Sequence, residues 1–162
     1  MKGQEHLEPV LGYLTEITEP VFEADEAREL RVDAEVAVEV GSGRVAAALE
    51  VVDLARPPDD FESIVAENVW HRGVVFGRFS SGPPPEAFEA RVVVNGEVRD
   101  ATTGDVDIEE TLAIARRLLA VVGKDVEPGD RIAGSILQVP VGSGDEVAVE
   151  LEGVGCVGLR IA

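Results

Sequence analysis

The chain has 162 residues, of which 45% are apolar and 28% charged, and this composition excludes a disordered or fibrous protein. Its formal charge of -18 would repel phosphate backbones and anionic lipids, so we expect neither a nucleic-acid partner nor a membrane partner. Residues 1–6 lack the apolar stretch of a secretion signal, and Cys156 is the single cysteine. We therefore expect a cytoplasmic protein without an internal disulfide.

The first thirty residues show only a weak apolar pattern, which Pro9 and Pro20 interrupt. This pattern predicts an amino-terminal arm or short segments over residues 1–30, with a turn or two of helix at 23–30. Residues 31–162 are predicted to form the folded part, so that the chain is a single domain overall.

Apolar and mostly acidic residues alternate over residues 32–40, which predicts a strand with one polar face. The sequence GSG at 41–43 predicts a turn. A second strand is predicted over residues 45–52, which are apolar on both faces except for Glu50.

The middle of the chain carries clear turn and cap signals. Asp59 and Asp60 are candidate N-caps for a short helix through residue 65, which leads to a strand at 74–76. The pair Asn95-Gly96 between two alternating segments predicts a hairpin with a type I′ turn.

The carboxyl-terminal part is predicted to contain the one long helix of the chain. Asp107 and Glu110 have the spacing of a capping box, and apolar residues follow at helical spacing until Gly123. Further strands are predicted over residues 131–139, 147–151 and 157–161.

Three acidic residues are candidates for a functional site. Asp33 and Glu35 are two positions apart on a strand, so their carboxylates project from one face. An exposed polar face would explain that pair, and Glu39 extends it. Glu50 is different, because a carboxylate within a buried apolar run is costly unless it is protonated, paired or bound to a cation.

The turn between the two strands decides how these acids meet. A two-residue loop of Ser42-Gly43 would place Glu35 opposite Glu50, whereas a loop of Gly41-Ser42 would place Asp33 there. Both registers put the three acids on one face. Like charges across a strand pair are destabilising, whereas carboxylates around Mg²⁺ or Mn²⁺ form the oxygen cage that these ions prefer.

Six short segments of the chain carry a resemblance to a known family. They are RVDAEVA at 31–37, ALEVVD at 48–53, AEN at 66–68, VVVNGEV at 92–98, GDRI at 129–132 and GVGCV at 153–157. Their order resembles that of the 2-keto-4-pentenoate hydratases and 4-oxalocrotonate decarboxylases of the fumarylacetoacetate hydrolase superfamily. The resemblance covers about residues 31–162.

The resemblance implies an α+β fold, namely a mostly antiparallel β-roll with one main helix, and a homodimer. It also implies that Asp33, Glu35 and Glu50 hold Mg²⁺ or Mn²⁺, which would polarise the 2-oxo or 2-hydroxy oxygen of a small unsaturated carboxylic acid. The expected function is a metal-dependent hydratase or lyase with that small-molecule substrate.

One difference from the family keeps two other functions open. Relatives carry a lysine in a G-x-K-x-G-like motif, and no lysine stands near Gly12 in this chain. One alternative is a repurposed scaffold that catalyses another conversion, such as a metal-independent cyclisation in secondary metabolism. The other is a non-catalytic ligand-binding subunit.

Four more residues are candidates for the site. Asn68 and Trp70 are predicted to bind substrate at the mouth of a pocket, with Trp70 turned inward. His71 is a candidate general acid or base because its ordinary pKa lies near neutrality, although a lone histidine beside an arginine is also typical of a surface loop. Asp53 is a candidate for positioning a water molecule, or else a turn cap at the end of its strand.

Overall fold

The computed structural model describes residues 10–24, 29–54, 61–82, 84–105 and 107–162. The helices are α1 (Phe61–Ala66) and α2 (Ile108–Val121). The strands are β1 (Val21–Phe22), β2 (Leu30–Glu39), β3 (Val45–Asp53), β4 (His71–Phe76), β5 (Phe88–Val94), β6 (Glu97–Gly104), β7 (Arg131–Pro140), β8 (Glu146–Leu151) and β9 (Gly155–Ile161). Neither helix is long and apolar enough to cross a membrane, as far as the described ranges extend.

The strands form two sheets that pack face to face. One sheet has the order β1-β9-β8-β5-β6 and the other the order β4-β3-β2-β7. Neighbouring strands run antiparallel apart from the short β1–β9 pair, which is parallel. The predicted fold, mostly antiparallel sheets with one main helix, is confirmed.

The alternation within β2 and β3 assigns one set of side chains to the core between the sheets. In β2 this set consists of the even-numbered residues, such as Val32 and Val36, and in β3 of the odd-numbered ones, such as Leu49. They pack against apolar side chains of β5, β8 and β9. The other set, which includes Asp33, Glu35 and Glu50, consequently lies on the outer face of the four-stranded sheet.

The hairpin between β2 and β3 has the second of the two predicted registers. Asp33 lies opposite Glu50, and Glu35 lies opposite Ala48. A Gly41-Ser42 loop would give this register, but the turn itself is longer, because Gly43 N donates to Glu39 O and Glu39 N donates to Arg44 O. Gly41 in this turn has a φ of 85°, which glycine tolerates without a steric penalty. All three acids share one face, as both registers had predicted.

The other local signals agree with the structure where it describes them. Asn95 and Gly96, with φ values of 53° and 81°, join β5 to β6 as expected of a type I′ turn. The Asp107 carboxylate accepts a hydrogen bond from Glu110 N at the start of α2. Asp59 and Asp60, the predicted N-caps of α1, lie outside the described residues.

The amino-terminal segment is more integrated into the fold than the sequence indicates. Residues 10–17, here called the strap, run across the outer face of the four-stranded sheet beside β4. Thr15 and Ile17 form backbone hydrogen bonds to Val74, and β1 then joins the edge of the five-stranded sheet. Gly73 permits this approach, because a Cβ at that position would lie 2.7 Å from the Ile17 side chain.

Candidate functional site

A cavity of about 970 Å³ lies over the outer face of β2 and β3, a volume typical of small-molecule sites. Asp33, Glu35 and Glu50 line it on the sheet side. The strap, the segment between α1 and β4, and the beginning of β7 provide other walls. Because these segments cover the outer face, Asp33 is 7% exposed and Glu35 is 4% exposed. The polar face of the hairpin is therefore not an ordinary solvated surface.

Burial changes the ionisation of two of the three acids. Burial is the main reason that the pKa of Asp33 is raised to about 6, and the negative charge of Glu50 raises it as well. Burial also raises the pKa of Glu35 well above its ordinary value, together with the negative charges of Glu50 and Asp33 and a hydrogen bond with Glu50. Glu35 thus tends to keep a proton while the protein is free of cations.

The carboxylate groups offer unused ligand atoms. Ser135 donates a hydrogen bond to Asp33 Oδ2, but Asp33 Oδ1 and Glu35 Oε2 are buried without a hydrogen-bond partner. Unpaired buried oxygens of this kind are unfavourable and are commonly balanced by an ion or by water.

The fit of a divalent cation can be judged from these atoms. Mg²⁺ and Mn²⁺ prefer oxygen ligands, and the two unpaired oxygens belong to residues that share one face of the sheet. Within the described residues, no three His, Cys, Asp or Glu side chains are already grouped closely enough to hold one ion. The residues fit such an ion in the chemistry of their oxygens and in their shared face of the sheet.

His71 holds one end of Glu50. The distance from His71 Nδ1 to Glu50 Oε1 is 2.6 Å, and Thr15 N of the strap donates a hydrogen bond of 2.7 Å to His71 Nε2. His71 as a whole residue is 6% exposed, so both ring nitrogens have partners in a buried setting. The sequence predicted neither partner, since Glu50 and Thr15 are remote from His71 along the chain.

The segment before His71 has an unusual backbone. Asn68, Val69 and Trp70 have φ values of 51°, 58° and 62°, which is the left-handed region that residues other than glycine seldom adopt. Each such residue costs of order 1–3 kcal/mol, so neighbouring contacts must hold the turn. The Asn68 side chain does so by accepting a hydrogen bond from Tyr13 N and donating one to Tyr13 O.

The cavity also contains a lysine that sequence reasoning missed. Lys124 lies beyond the end of α2, and its Nζ donates a hydrogen bond of 2.9 Å to the Tyr13 hydroxyl. The ammonium group lies 4.7 Å from the centroid of the Tyr13 ring. Both residues line the cavity, together with Arg131 at the start of β7. No local motif marks Lys124, because its approach to the strap depends on the whole fold.

The fold of this chain resembles that of several solved structures. No protein-family model matches the chain, and no curated protein matches its sequence. A solved structure of 4-oxalocrotonate decarboxylase from Pseudomonas putida G7, in complex with magnesium and adipate, matches 88% of this chain and 64% of its own, with 24% identity and a TM-score of 0.74. The chain has the fold of the fumarylacetoacetate hydrolase superfamily.

Two further structures support that assignment. Maleylpyruvate hydrolase from Sphingobium sp. SYK-6, in complex with manganese(II) and pyruvate, matches 88% of this chain and 58% of its own, with 19% identity and a TM-score of 0.62. A protein of the fumarylacetoacetate hydrolase family from Yersinia pestis CO92 matches 92% of this chain and 81% of its own, with 19% identity and a TM-score of 0.62. This chain therefore spans less than two thirds of the length of the decarboxylase and of the hydrolase.

Most, but not all, of the site residues predicted from the sequence line the cavity. Asp33, Glu35, Glu50, Asn68, Trp70 and His71 all line the cavity. Asp53 is buried at the end of β3 and is not among the described residues that line it; its carboxylate lies 3.6 Å from Arg72 Nε. Glu39 lies at the exposed end of the hairpin, where it pairs with Arg44.

Proposed function

We propose that this protein is an enzyme that binds a divalent metal ion and acts on a small unsaturated carboxylic acid bearing a 2-oxo or 2-hydroxy group. The observation that carries the proposal is the group of three acids on one buried face of β2 and β3, two of which have oxygens without a hydrogen-bond partner. A carbonyl and a carboxylate of such a substrate are oxygen donors of the kind that a bound divalent ion accepts. Within this class, a hydratase or another lyase is the activity we favour.

Solved structures with the same fold support the presence of an ion. The decarboxylase structure contains magnesium with adipate, and the hydrolase structure contains manganese(II) with pyruvate. In this chain we assign Asp33, Glu35 and Glu50 as the residues that would hold Mg²⁺ or Mn²⁺. When bound, the ion supplies a Lewis acid that polarises the substrate oxygen.

The remaining cavity residues bind and orient the substrate. Lys124 and Arg131 present the cationic groups that a substrate carboxylate requires in a strongly acidic chain. Trp70 and Val69 contribute apolar surface that keeps water from the reacting carbons. We propose Asn68 as a residue of this binding wall whose main task is to fix Tyr13.

Which residue donates a proton to the substrate depends on whether a divalent metal ion is bound. A cation beside Asp33, Glu35 and Glu50 would keep all three ionised, which makes them poor acids near neutral pH. Under the metal-dependent proposal, the proton donor therefore lies elsewhere in the cavity. The Lys124 ammonium group and the Tyr13 hydroxyl form a donor pair that lines the cavity. The role of His71 as general acid or base stays a prediction, although its two nitrogens already have partners.

The ionisation of Glu35 favours a second candidate. A carboxyl group whose pKa is raised well above its ordinary value keeps its proton to higher pH and can donate that proton without any metal. A metal-independent conversion, such as a cyclisation, would use Glu35 as general acid in a preformed cavity. A non-catalytic ligand-binding subunit remains the outcome if neither activity is found.

Turnover with and without metal separates these functions. Purified protein would be incubated with 2-hydroxy-2,4-dienoates, and the loss of their ultraviolet absorbance followed with Mn²⁺ and with EDTA. The metal-dependent enzyme loses activity in EDTA, and Glu50→Gln lowers turnover at least about 100-fold in Mn²⁺. Glu39→Gln is the matched control, because Glu39 is an acid of β2 that pairs with Arg44 away from the cavity.

Activity that persists in EDTA and disappears in Glu35→Gln would favour the metal-independent candidate. No turnover of any dienoate, with no binding of Mn²⁺ by calorimetry, would overturn the proposed function. The predicted homodimer is a separate proposal, and sedimentation velocity would test it.

A further inference from the structure

His71 is the residue through which the strap contacts the group of acids. It is the first residue of β4, and the left-handed turn Asn68–Trp70 immediately precedes it. Its side chain is 3% exposed and that of Glu50 is 13% exposed, so solvent competes little for the hydrogen bond between them. A strained turn directly before a buried histidine indicates that the orientation of the ring is closely determined.

The two hydrogen bonds define the position of the ring proton. A backbone N–H can only donate, so His71 Nε2 must offer its lone pair to Thr15 N. The proton of the neutral ring therefore lies on Nδ1, which donates to Glu50 Oε1. With both nitrogens engaged, the ring has no free atom to exchange a proton with a substrate while the strap stays in place.

The strap, which binds His71 through Thr15 N, is itself fixed by further hydrogen bonds. Thr15 O accepts a hydrogen bond from Val74 N, and Ile17 N donates one to Val74 O. The Asn68 side chain holds Tyr13 at the same time. The strap is thus attached to β4 and to the turn before it, and His71 is the side chain that links this attachment to Glu50.

We propose that His71 is a positioning residue that fixes the orientation of the Glu50 carboxylate and couples it to the strap. With Oε1 of Glu50 held by His71, the other oxygen is the one available to a ligand in the cavity. A ligand that turns Glu50 also releases or tightens the Thr15 bond through the ring. The effect on a metal ion rests on the proposed function, whereas the link from Glu50 to Thr15 does not.

Two variants separate the two hydrogen bonds. In His71→Asn, the side-chain amide reaches about as far as Nδ1, so it can donate to Glu50 but leaves Thr15 N without its partner. In His71→Gln, the amide oxygen reaches about as far as Nε2, so it can accept from Thr15 but leaves Glu50 Oε1 unpaired. Each variant thus serves as the control for the other, and a general loss of packing would affect both alike.

Two readouts follow these variants. Amide hydrogen exchange of Thr15 is measured by NMR, and Mn²⁺ affinity is measured by calorimetry. We expect His71→Asn to speed exchange at Thr15 about tenfold or more while the Mn²⁺ affinity changes little. We expect His71→Gln to preserve the protection of Thr15 and to weaken Mn²⁺ binding about 10- to 100-fold. Equal losses in both variants, or an unchanged affinity in His71→Gln, would overturn the proposal.

A third measurement needs neither metal nor activity. In EDTA, long-range nitrogen–proton NMR spectra of the wild type should show His71 protonated on Nδ1. Glu50→Leu removes the acceptor of that proton, which allows the ring to carry the proton on Nε2, where it no longer accepts from Thr15. We therefore expect faster exchange at Thr15 in Glu50→Leu but not in Glu39→Gln, since Thr15 is connected to Glu50 through His71, whereas Glu39 pairs with Arg44.

These results distinguish the positioning role from the proposed function. If the wild type binds no Mn²⁺, the metal-dependent function fails, and the tautomer and the Thr15 exchange decide the role of His71. A wild-type ring protonated on Nε2, or a Thr15 amide indifferent to Glu50→Leu, would refute the coupling even if the enzyme were active with metal.

Discussion

The two faces of the β2–β3 hairpin are both buried, but they differ in chemistry. The inner face carries aliphatic side chains such as Val32, Val36 and Leu49, which pack against the five-stranded sheet. The outer face carries Asp33, Glu35 and Glu50 beneath the cavity. Burial therefore contributes to stability on one face, through the hydrophobic effect, and opposes it on the other, through the desolvation of carboxyl groups.

This difference indicates what each face is for. Over residues 32–38 and 45–51 the inner face carries only aliphatic side chains, so it can stabilise the fold whatever occupies the cavity. The outer face contains paired like charges and unpaired oxygens, an arrangement that stability alone does not favour. Strained or unsatisfied groups of this kind concentrate at functional sites, because a ligand relieves them when it binds.

The largest expected effect comes from truncating the inner face. Leu49 is fully buried, so Leu49→Ala should lower the free energy of unfolding by about 2–5 kcal/mol. The neighbouring substitution Glu50→Gln should cost much less, because it removes a charge from a buried site. Urea denaturation in EDTA measures both values. Equal losses for the two variants would contradict the division between a stabilising face and a functional face.

Metal binding should offset part of the free energy that is lost by burying the acids of the outer face. At a concentration one hundred times Kd, Mg²⁺ or Mn²⁺ should stabilise the protein by about 2.7 kcal/mol. For a domain of this size, that corresponds to a rise in Tm of roughly 5–10 °C. Glu50→Gln should abolish the rise, and Glu39→Gln should retain it. A Tm that does not respond to millimolar metal would contradict the assignment of the three acids.

The pH dependence of the free energy of unfolding should directly show how much the burial of the Asp33 carboxylate destabilises the protein. In EDTA, the unfolded Asp33 ionises near its ordinary pKa of 3.8, whereas the folded residue keeps its proton until about pH 6. The folded state binds more protons across this interval, so wild-type stability should fall relative to Asp33→Asn as the pH rises through it. Urea denaturation between about pH 4 and pH 7 measures that difference. Parallel pH curves for the two proteins would show that Asp33 carries no such cost.

Local signals predicted the parts of the fold whose partners are near in sequence. Alternation predicted β2, the Asn95-Gly96 pair predicted the second hairpin, and Asp107 predicted the beginning of α2. The register of the first hairpin was left between two possibilities, because both two-residue loops put the acids on one face. Only the backbone conformation of residues 39–45 distinguishes them.

The covering of the site could not be predicted in this way. The strap has no periodicity, and its hydrogen bonds join Tyr13 to Asn68 and Thr15 to His71 across more than fifty residues. Lys124 approaches Tyr13 from still farther along the chain. Such contacts depend on the packing of complete elements. The sequence therefore predicted the acids on the sheet but not the segments that enclose them.

The smallest expected effect is optical and concerns that enclosing wall. Trp70 is the single tryptophan of the chain, it lines the cavity, and its backbone has a φ of 62° in the left-handed turn. A 2-oxo acid that enters the cavity should displace water from the indole ring and change its emission, with little effect on stability. Titration with pyruvate in the presence of Mn²⁺ measures this change, and Trp70→Phe should remove the signal while calorimetry still detects binding. The contrary outcome is that calorimetry shows pyruvate binding to the wild type while the emission of Trp70 does not respond. In that case the ligand lies away from the turn, and residues 68–71 support His71 structurally rather than forming part of the binding site.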